Sequence, residues 1–217
     1  DDLSNGRLHL GLGAGWQERE HHNYSWDLLD MNGRFARFEE GLQIISHLLQ
    51  KEEPLDFDGA YYQLHDAVLL PHPQRPGGPP ILIGGNGPKR TLPLVAEYAT
   101  EWNGVFIPPQ TFAERSALLD ELLVANGRKP SDVRRSLMTG LIFGKDQADF
   151  AAKMAPRTLS AAELRQRGIA VGTANELVDQ LGAFAEAGVQ RIMLQWMDLD
   201  DMDGLELLGT AVLPQVQ

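Results

Sequence analysis

The apolar positions of the first fifty residues follow two different periods. Leu8, Leu10 and Leu12 alternate with His9 and Gly11 across residues 7–13, and the run ends in Gly13-Ala14-Gly15, which predicts a short strand opening into a turn. From Gly33 the spacing lengthens. Phe35, Phe38, Leu42, Ile45 and Leu49 recur every three or four residues, so residues 33–50 are predicted to form a helix with one apolar face. Asp58-Gly59, set between Phe57 and Tyr61-Tyr62, predicts a small hairpin, and the Pro/Gly-rich stretch 71–80 leads back to the core.

A regular rhythm follows. Residues 81–83 (Ile-Leu-Ile) are a wholly apolar run bounded by Pro80 and Gly84, and residues 92–99 read as a helix whose start is set by Pro88. Residues 102–107, 135–143 and 191–194 read as three more strands. Between them Thr111 with Glu114, Ser160 with Glu163 and Thr173 with Glu176 have capping-box spacing. Leu118, Leu119, Leu122 and Leu123 give the first of these helices its apolar side before Asn126-Gly127. Leu177, Leu181 and Phe184 do the same for the last before Gly188, and a further helix starts near Asp203, with that residue as its cap. Five strands alternating with helices predict an α/β fold of parallel βα units in one domain spanning 1–217, with the hairpin as a loop insertion.

Composition narrows the function. With 43% hydrophobic and 23% charged residues the chain is globular rather than disordered. A net charge of −11 without a segregated basic stripe argues against nucleic acid as a partner. No apolar run reaches membrane-spanning length and the opening residues lack a signal-peptide pattern, so the expectation is a soluble, cytoplasmic protein. Zero cysteines leave no thiolate nucleophile and no cysteine-ligated metal.

Two glycine clusters carry the candidate chemistry. Gly11-Leu12-Gly13-Ala14-Gly15-Trp16 departs from the dinucleotide fingerprint, which needs glycine where Trp16 or Glu18 stands. It remains a turn at a strand's C-terminal end, where backbone can approach a ligand. Gly84-Gly85-Asn86-Gly87-Pro88-Lys89-Arg90 is no P-loop. It does lie between a strand and a helix, where amides, a helix N-terminus and two cations suit a phosphate; a plain βα turn with two solvated cations is the alternative. His21-His22 beside Glu18 and Glu20 has no recognised metal spacing. The Asp198, Asp200, Asp201, Asp203 run lacks the glycine of a calcium loop, so no metal site is predicted. No nucleophile elbow is present.

Taken in order, LSNGRLHLGLGAGWQEREH, GRFARFEEGLQIISHLL, PPILIGGNGPKRTLPLVAEYATEWNG, VGTANELVDQLGAFAEAGVQRIML and the final VLP resemble the luciferase-like monooxygenase superfamily, most closely its deazaflavin (F-420) branch. The resemblance implies a TIM-barrel (β/α)8 fold with a flavin or deazaflavin across the C-terminal ends of the strands. It aligns residues 7–13 with the fourth barrel strand, so the expected architecture is a partial barrel of strands four to eight, the first three βα units missing. That implies open strand edges, met by a homo-oligomer or a complementing chain.

The resemblance also assigns residues. Gly13, Ala14 and Gly15 border the cofactor, as do Gly84, Gly85, Asn86, Gly87 and Pro88 through its phosphate-bearing tail, with Lys89 and Arg90 adding attraction. Trp16 and Asn103 fall on the substrate side. Some members carry a proton-donating carboxylate where this chain has Trp16, which leaves the catalytic acid or base unassigned and makes Glu18, Glu20 and His21 the substitutes to examine. The implied activity is hydride transfer between reduced F-420, or FMN as second choice, and a small organic substrate. The alternatives are an FMN-dependent monooxygenase, a non-catalytic or fragmentary partner subunit, and an unrelated phosphate-binding barrel such as a sugar-phosphate isomerase.

Overall fold

The computed structural model describes residues 1–216, in two compact units divided after Glu101. In the first unit β1 (Leu10–Leu12) is followed by α1 (Glu18–Asn23), α2 (Met31–Gln50), a hairpin of β2 (Leu55–Asp58) and β3 (Gln63–Ala67), then β4 (Ile81–Gly84) and α3 (Thr91–Tyr98). β1 and β4 pair in parallel, Leu10 opposite Ile81, Gly11 opposite Leu82 and Leu12 opposite Ile83. β1 is shorter than residues 7–13 because side chains capture the backbone ahead of it. The Arg7 amide donates to Ser4 Oγ at 3.0 Å and the Leu8 amide to Asp1 Oδ1 at 3.2 Å, which removes both from any ladder.

α2 starts earlier than its apolar period because Asp30 caps it, accepting from the Gly33 amide at 2.7 Å. Its buried side chains are Leu42, Ile44 and Leu49, while Ile45 is only partly covered. The hairpin is present, but residues 59–62 form a wider turn than an Asp-Gly step alone would make. Glu40, reaching across from α2, accepts from the amides of Ala60 (2.8 Å), Tyr61 (2.9 Å) and Tyr62 (3.2 Å). Desolvation opposes the charge on Glu40, and the Tyr61, Ala60 and Tyr62 amides outweigh it, holding the carboxyl below its ordinary value.

The second unit starts within β5 (Glu101–Val105) and continues through α4 (Pro109–Ala125), β6 (Arg134–Phe143), α5 (Gln147–Met154), α6 (Ala161–Gln166), β7 (Ala170–Gly172), α7 (Ala174–Glu186), β8 (Arg191–Gln195) and α8 (Met202–Leu207). The ten-residue β6 organises it. Ser136–Gly140 pair in parallel with β8, Leu141–Phe143 pair in parallel with β7, and β5 lies along the other side. Strands covered on both faces read as apolar runs, and a core of Leu141, Phe143, Ala170, Leu177, Leu181, Leu208 and Val212 packs α7 and the C-terminal helix against them. The architecture is α/β with mostly parallel strands.

Three expectations change here. β7 was not anticipated, since three residues carry too little pattern; the extra length of β6 gives it a partner. Thr111 and Glu114 do not cap α4, because Pro109 at the first helical position, with its φ already near helical values, starts the helix two residues earlier. Asp201, not Asp203, caps α8, accepting from the Gly204 amide at 2.9 Å. The other two boxes form as spaced: Ser160 with Glu163 on α6, Thr173 with Glu176 on α7.

Glu176 is a test of this packing. Its carboxylate accepts from the Thr173 amide at 2.9 Å and pairs with Arg165 at 3.1 Å, and the Thr173 amide is the main cause of its lowered pKa. A carboxyl whose folded pKa is depressed stabilises the fold above its unfolded value and loses that contribution as pH falls toward the folded one. Glu40, Glu163 and Asp201 are lowered as well. Thermal unfolding followed by circular dichroism is expected to show a melting temperature that holds down to about pH 5 and falls below about pH 4.5, where carboxyl groups of ordinary pKa begin to protonate. At pH 7, Glu176→Ala is expected to cost about 1–2 kcal/mol through the lost cap.

Candidate functional site

The site is built from the register of β1 and β4. Because side chains alternate along a strand, Leu10, Leu12, Ile81 and Ile83 share one face of the pair, and Ile81 and Ile83 bury theirs. The opposite face carries Gly11 and Leu82. Continuing the register brings Gly13 level with Gly84, and a Cβ built on Gly11, Gly13 or Gly84 meets nothing within 4 Å. None of the three has a left-handed φ. Neither crowding nor backbone conformation within the chain therefore requires glycine at these positions, and their common effect is a bare floor at the C-terminal ends of two parallel strands.

The loops leaving that floor differ in their constraints. Gly85 adopts φ +125°, which only glycine enters freely, and Gly87 lies so close to Thr91 that a Cβ would stand 3.0 Å from its hydroxyl. The chain turns through Pro88, Lys89 and Arg90 into α3. The amides of Gly87, Lys89 and Arg90 donate to no other described residue, which leaves them available to an anion beside the positive end of the helix.

The two predicted cations separate. Lys89 is exposed and makes no ion pair among the described residues. Arg90 is already engaged: it donates to the Met31 carbonyl at 2.9 Å, bonds the Asn32 side chain and lies 5.5 Å from the centre of the Phe35 ring. It thus ties the phosphate-type loop to the start of α2. On the other loop Gly15 takes φ +80°, and its carbonyl accepts from Arg34 at 3.2 Å. Ala14 is half-buried and Trp16 is 77% exposed.

Of the substitutes for a carboxylate at position 16, Glu18 and Glu20 are exposed on α1. The His21 ring lies 3.4 Å from where a Gly15 Cβ would be, its Nδ1 bonded to the Gln17 carbonyl at 2.9 Å. Among the described residues no three His, Asp or Glu side chains group as a metal site. No described helix is long and apolar enough to cross a membrane.

In the second unit Asn103 is buried. Its Nδ2 donates to Ser136 Oγ at 2.9 Å, and that hydroxyl donates to the Trp102 carbonyl at 3.1 Å, so the amide links β5 to β6. Beyond the ends of β6 and β8 a cavity of about 260 Å³ is lined by Phe143, Lys153, Arg157, Trp196 and Asp198. Burial weakens the charge on Lys153, and Asp201 at 2.5 Å with Asp149 and Asp198 at 3.5 Å outweighs it, raising the pKa. That cation is neutralised by its own chain.

Sequence reasoning missed Arg34 and Arg37. They stand three residues apart on α2, an ordinary spacing for neighbours on a helix surface, so nothing local in the sequence marked them out.

The chain is an α/β protein of mostly parallel strands in which glycines and unbonded amides gather at strand ends. Residues 1–167 match the family model described as luciferase-like monooxygenase, and the chain belongs to that family. It is 25% identical over 247 residues to an F-420-dependent glucose-6-phosphate dehydrogenase of Amycolatopsis mediterranei, covering 99% of this chain and 71% of that protein. It is 25% identical over 251 residues to 4-hydroxyprotoasukamycin monooxygenase of Streptomyces nodosus subsp. asukaensis, covering 99% of this chain and 67% of that protein. For other curated relatives the share of their length falls to 50% and 42%. The fold matches that of an F-420-dependent secondary alcohol dehydrogenase solved with an F-420–acetone adduct, with a TM-score of 0.80 at 18% identity, covering 99% of this chain and 71% of that one.

Asn103→Ala leaves the buried Ser136 hydroxyl without its donor and is expected to lower the unfolding free energy by about 1–3 kcal/mol in urea titration. An unchanged midpoint would free Asn103 for a purely ligand-facing role.

Proposed function

We propose that this chain belongs to an oxidoreductase that seats deazaflavin F-420, with FMN as the second choice, and moves a hydride between it and a small organic substrate. The observation that carries the reading is the bare floor of Gly11, Gly13 and Gly84, where a Cβ would occupy only open space. A flat ring system needs such a floor, and a phosphate-bearing tail needs the unbonded amides of Gly87, Lys89 and Arg90 beside it. Ala14, Gly15, Asn86 and Pro88 shape the two loops, and Lys89 supplies the charge that Arg90 spends on α2. When bound, the deazaflavin would supply the hydride, and its ring carbon in place of the nitrogen that lets ordinary flavins react readily with dioxygen favours reductase or dehydrogenase chemistry.

The chain's own residues orient and shield. Trp16 flanks the substrate side with an apolar surface, and His21, held through Nδ1, is the titratable side chain nearest Gly15. The monooxygenase relative supports the second reading, FMN with dioxygen. β1 has a strand neighbour only at β4 among the described residues, and the proposal includes a further strand on its open edge, from a second copy or a complementing chain.

Gly84→Val separates folding from binding. Its melting temperature is expected to match or slightly exceed the wild type, since a glycine in a strand costs about 0.5–1 kcal/mol. F-420 and FMN affinities measured by fluorescence titration should fall at least tenfold. Wild-type affinity in this variant would remove the floor from the site, and substrate-linked oxygen uptake with the reduced cofactors would favour FMN over the deazaflavin.

A further inference from the structure

A second site in the first unit lies apart from the glycine floor. The loop from Tyr24 to Leu29 and the turn between β2 and β3 border an open cavity of about 570 Å³ lined by Trp26, Tyr61, Tyr62, His21, Arg37 and Asp27. Three aromatic side chains line it at considerable exposure: Trp26 at 74%, Tyr61 at 36% and Tyr62 at 39%. Solvated aromatic rings gathered around one cavity, with a guanidinium among them, are what a flat apolar molecule bearing an anion requires.

The cation is available. Arg37 donates through Nη1 to the Asp27 carbonyl at 3.0 Å, a neutral acceptor, and makes no ion pair among the described residues of a chain with net charge −11. It stands in the second turn of α2, facing the loop that carries Asp27. Asp27 is the acidic group in the cavity, and its Oδ1 accepts from the Leu29 amide at 2.9 Å.

The walls are preformed. Glu40 fixes the turn that carries both tyrosines through three amide bonds, and the Trp26 amide donates to the His21 carbonyl at 2.9 Å. On either side of the Trp26–Leu28 stretch, Ser25 and Leu29 are held at φ +57° and +64°, a region that non-glycine residues enter only when their surroundings impose it. His21 links the cavity to the first glycine loop, since its ring also abuts Gly15.

We infer that this cavity is a binding subsite for a small organic anion with a flat apolar face, a carboxylate or phosphate ester held by Arg37 and stacked among Trp26, Tyr61 and Tyr62. That this anion is the substrate rests on the proposed oxidoreductase reading; the subsite itself does not. The test is calorimetric titration of the cofactor-free chain with 4-nitrophenyl phosphate, with neutral 4-nitrobenzyl alcohol as the comparison and inorganic phosphate as competitor. Saturable binding of the ester, at least tenfold weaker binding of the alcohol, and competition by phosphate are expected. Arg37→Gln should weaken the ester at least tenfold, Arg37→Lys by a smaller factor, and Trp26→Ala should weaken both organic probes.

F-420 and FMN affinities should be unchanged in Arg37→Gln. Failure of the wild type to bind the ester, equal binding of ester and alcohol, or wild-type affinity in Arg37→Gln would overturn the inference. So would an equal loss of cofactor affinity in that variant, which would merge the cavity with the cofactor site. If Arg37→Gln fails to fold, Arg37→Lys and the phosphate competition decide. Ester binding as expected in a chain that takes up neither cofactor would uphold the subsite and reject the oxidoreductase reading.

Discussion

The three-residue parallel pairing of β1 with β4 is the constraint on which the rest of the first unit depends. Roughly seventy residues separate these segments, and the register that sets Leu12 against Ile83 makes the first glycine loop a neighbour of the second, with α2 tied to both through Arg34 and Arg90. A slip of β1 by one residue would turn Gly11 and Gly13 onto the packed face and aim Leu10 and Leu12 at the open one. The burial of Ile81 and Ile83 on the packed side opposes that slip, so the same apolar residues that hold the sheet also keep the opposite face bare.

Cations are held in two ways, and each unit contains both: in the first Arg75 pairs with the Asp1 carboxylate at 3.3 Å, and in the second Arg157 donates to the Lys153 carbonyl. In the second, Lys153 is surrounded by Asp149, Asp198 and Asp201 and binds the Phe143 carbonyl at the end of β6. It fastens α5 to the segment after β8 and has little charge left to offer. In the first, Arg34, Arg37 and Arg90 all donate to neutral acceptors, and Lys89 pairs with nothing described. A guanidinium bonded to a carbonyl is oriented without being neutralised, whereas one bonded to a carboxylate is both. In a chain carrying eleven excess negative charges, cations left in that state keep their charge available, and the proposed anion sites rest on that.

How much of this could be read from the sequence depended on how local the cause was. Periods of two and 3.6 located the parallel strands longer than three residues, and Leu177, Leu181 and Phe184 are buried as their spacing requires. Two of three capping boxes formed, and the third failed to a proline at a better position. What stayed hidden was decided across distance. Glu40 widens a turn twenty residues away, Ser4 and Asp1 shorten β1, and β7 exists because β6 is long enough to pair with it. The glycine clusters were visible as candidates, but only the register showed that they share one floor, and only the contacts of Arg90 showed that its charge serves α2 first.

The glycines also divide by the reason each is there, and that division separates architecture from function. Gly59 would drive a Cβ to 2.4 Å from Glu40, and Gly85 and Gly15 need a left-handed backbone, so the fold alone accounts for them. Gly11, Gly13 and Gly84 satisfy neither condition. A strand that gives up a side chain loses packing area and gains backbone entropy in the unfolded state, both destabilising. Three such losses on one face, at one end of one strand pair, are a cost the chain's own contacts do not explain. In the proposed function that missing volume belongs to the cofactor.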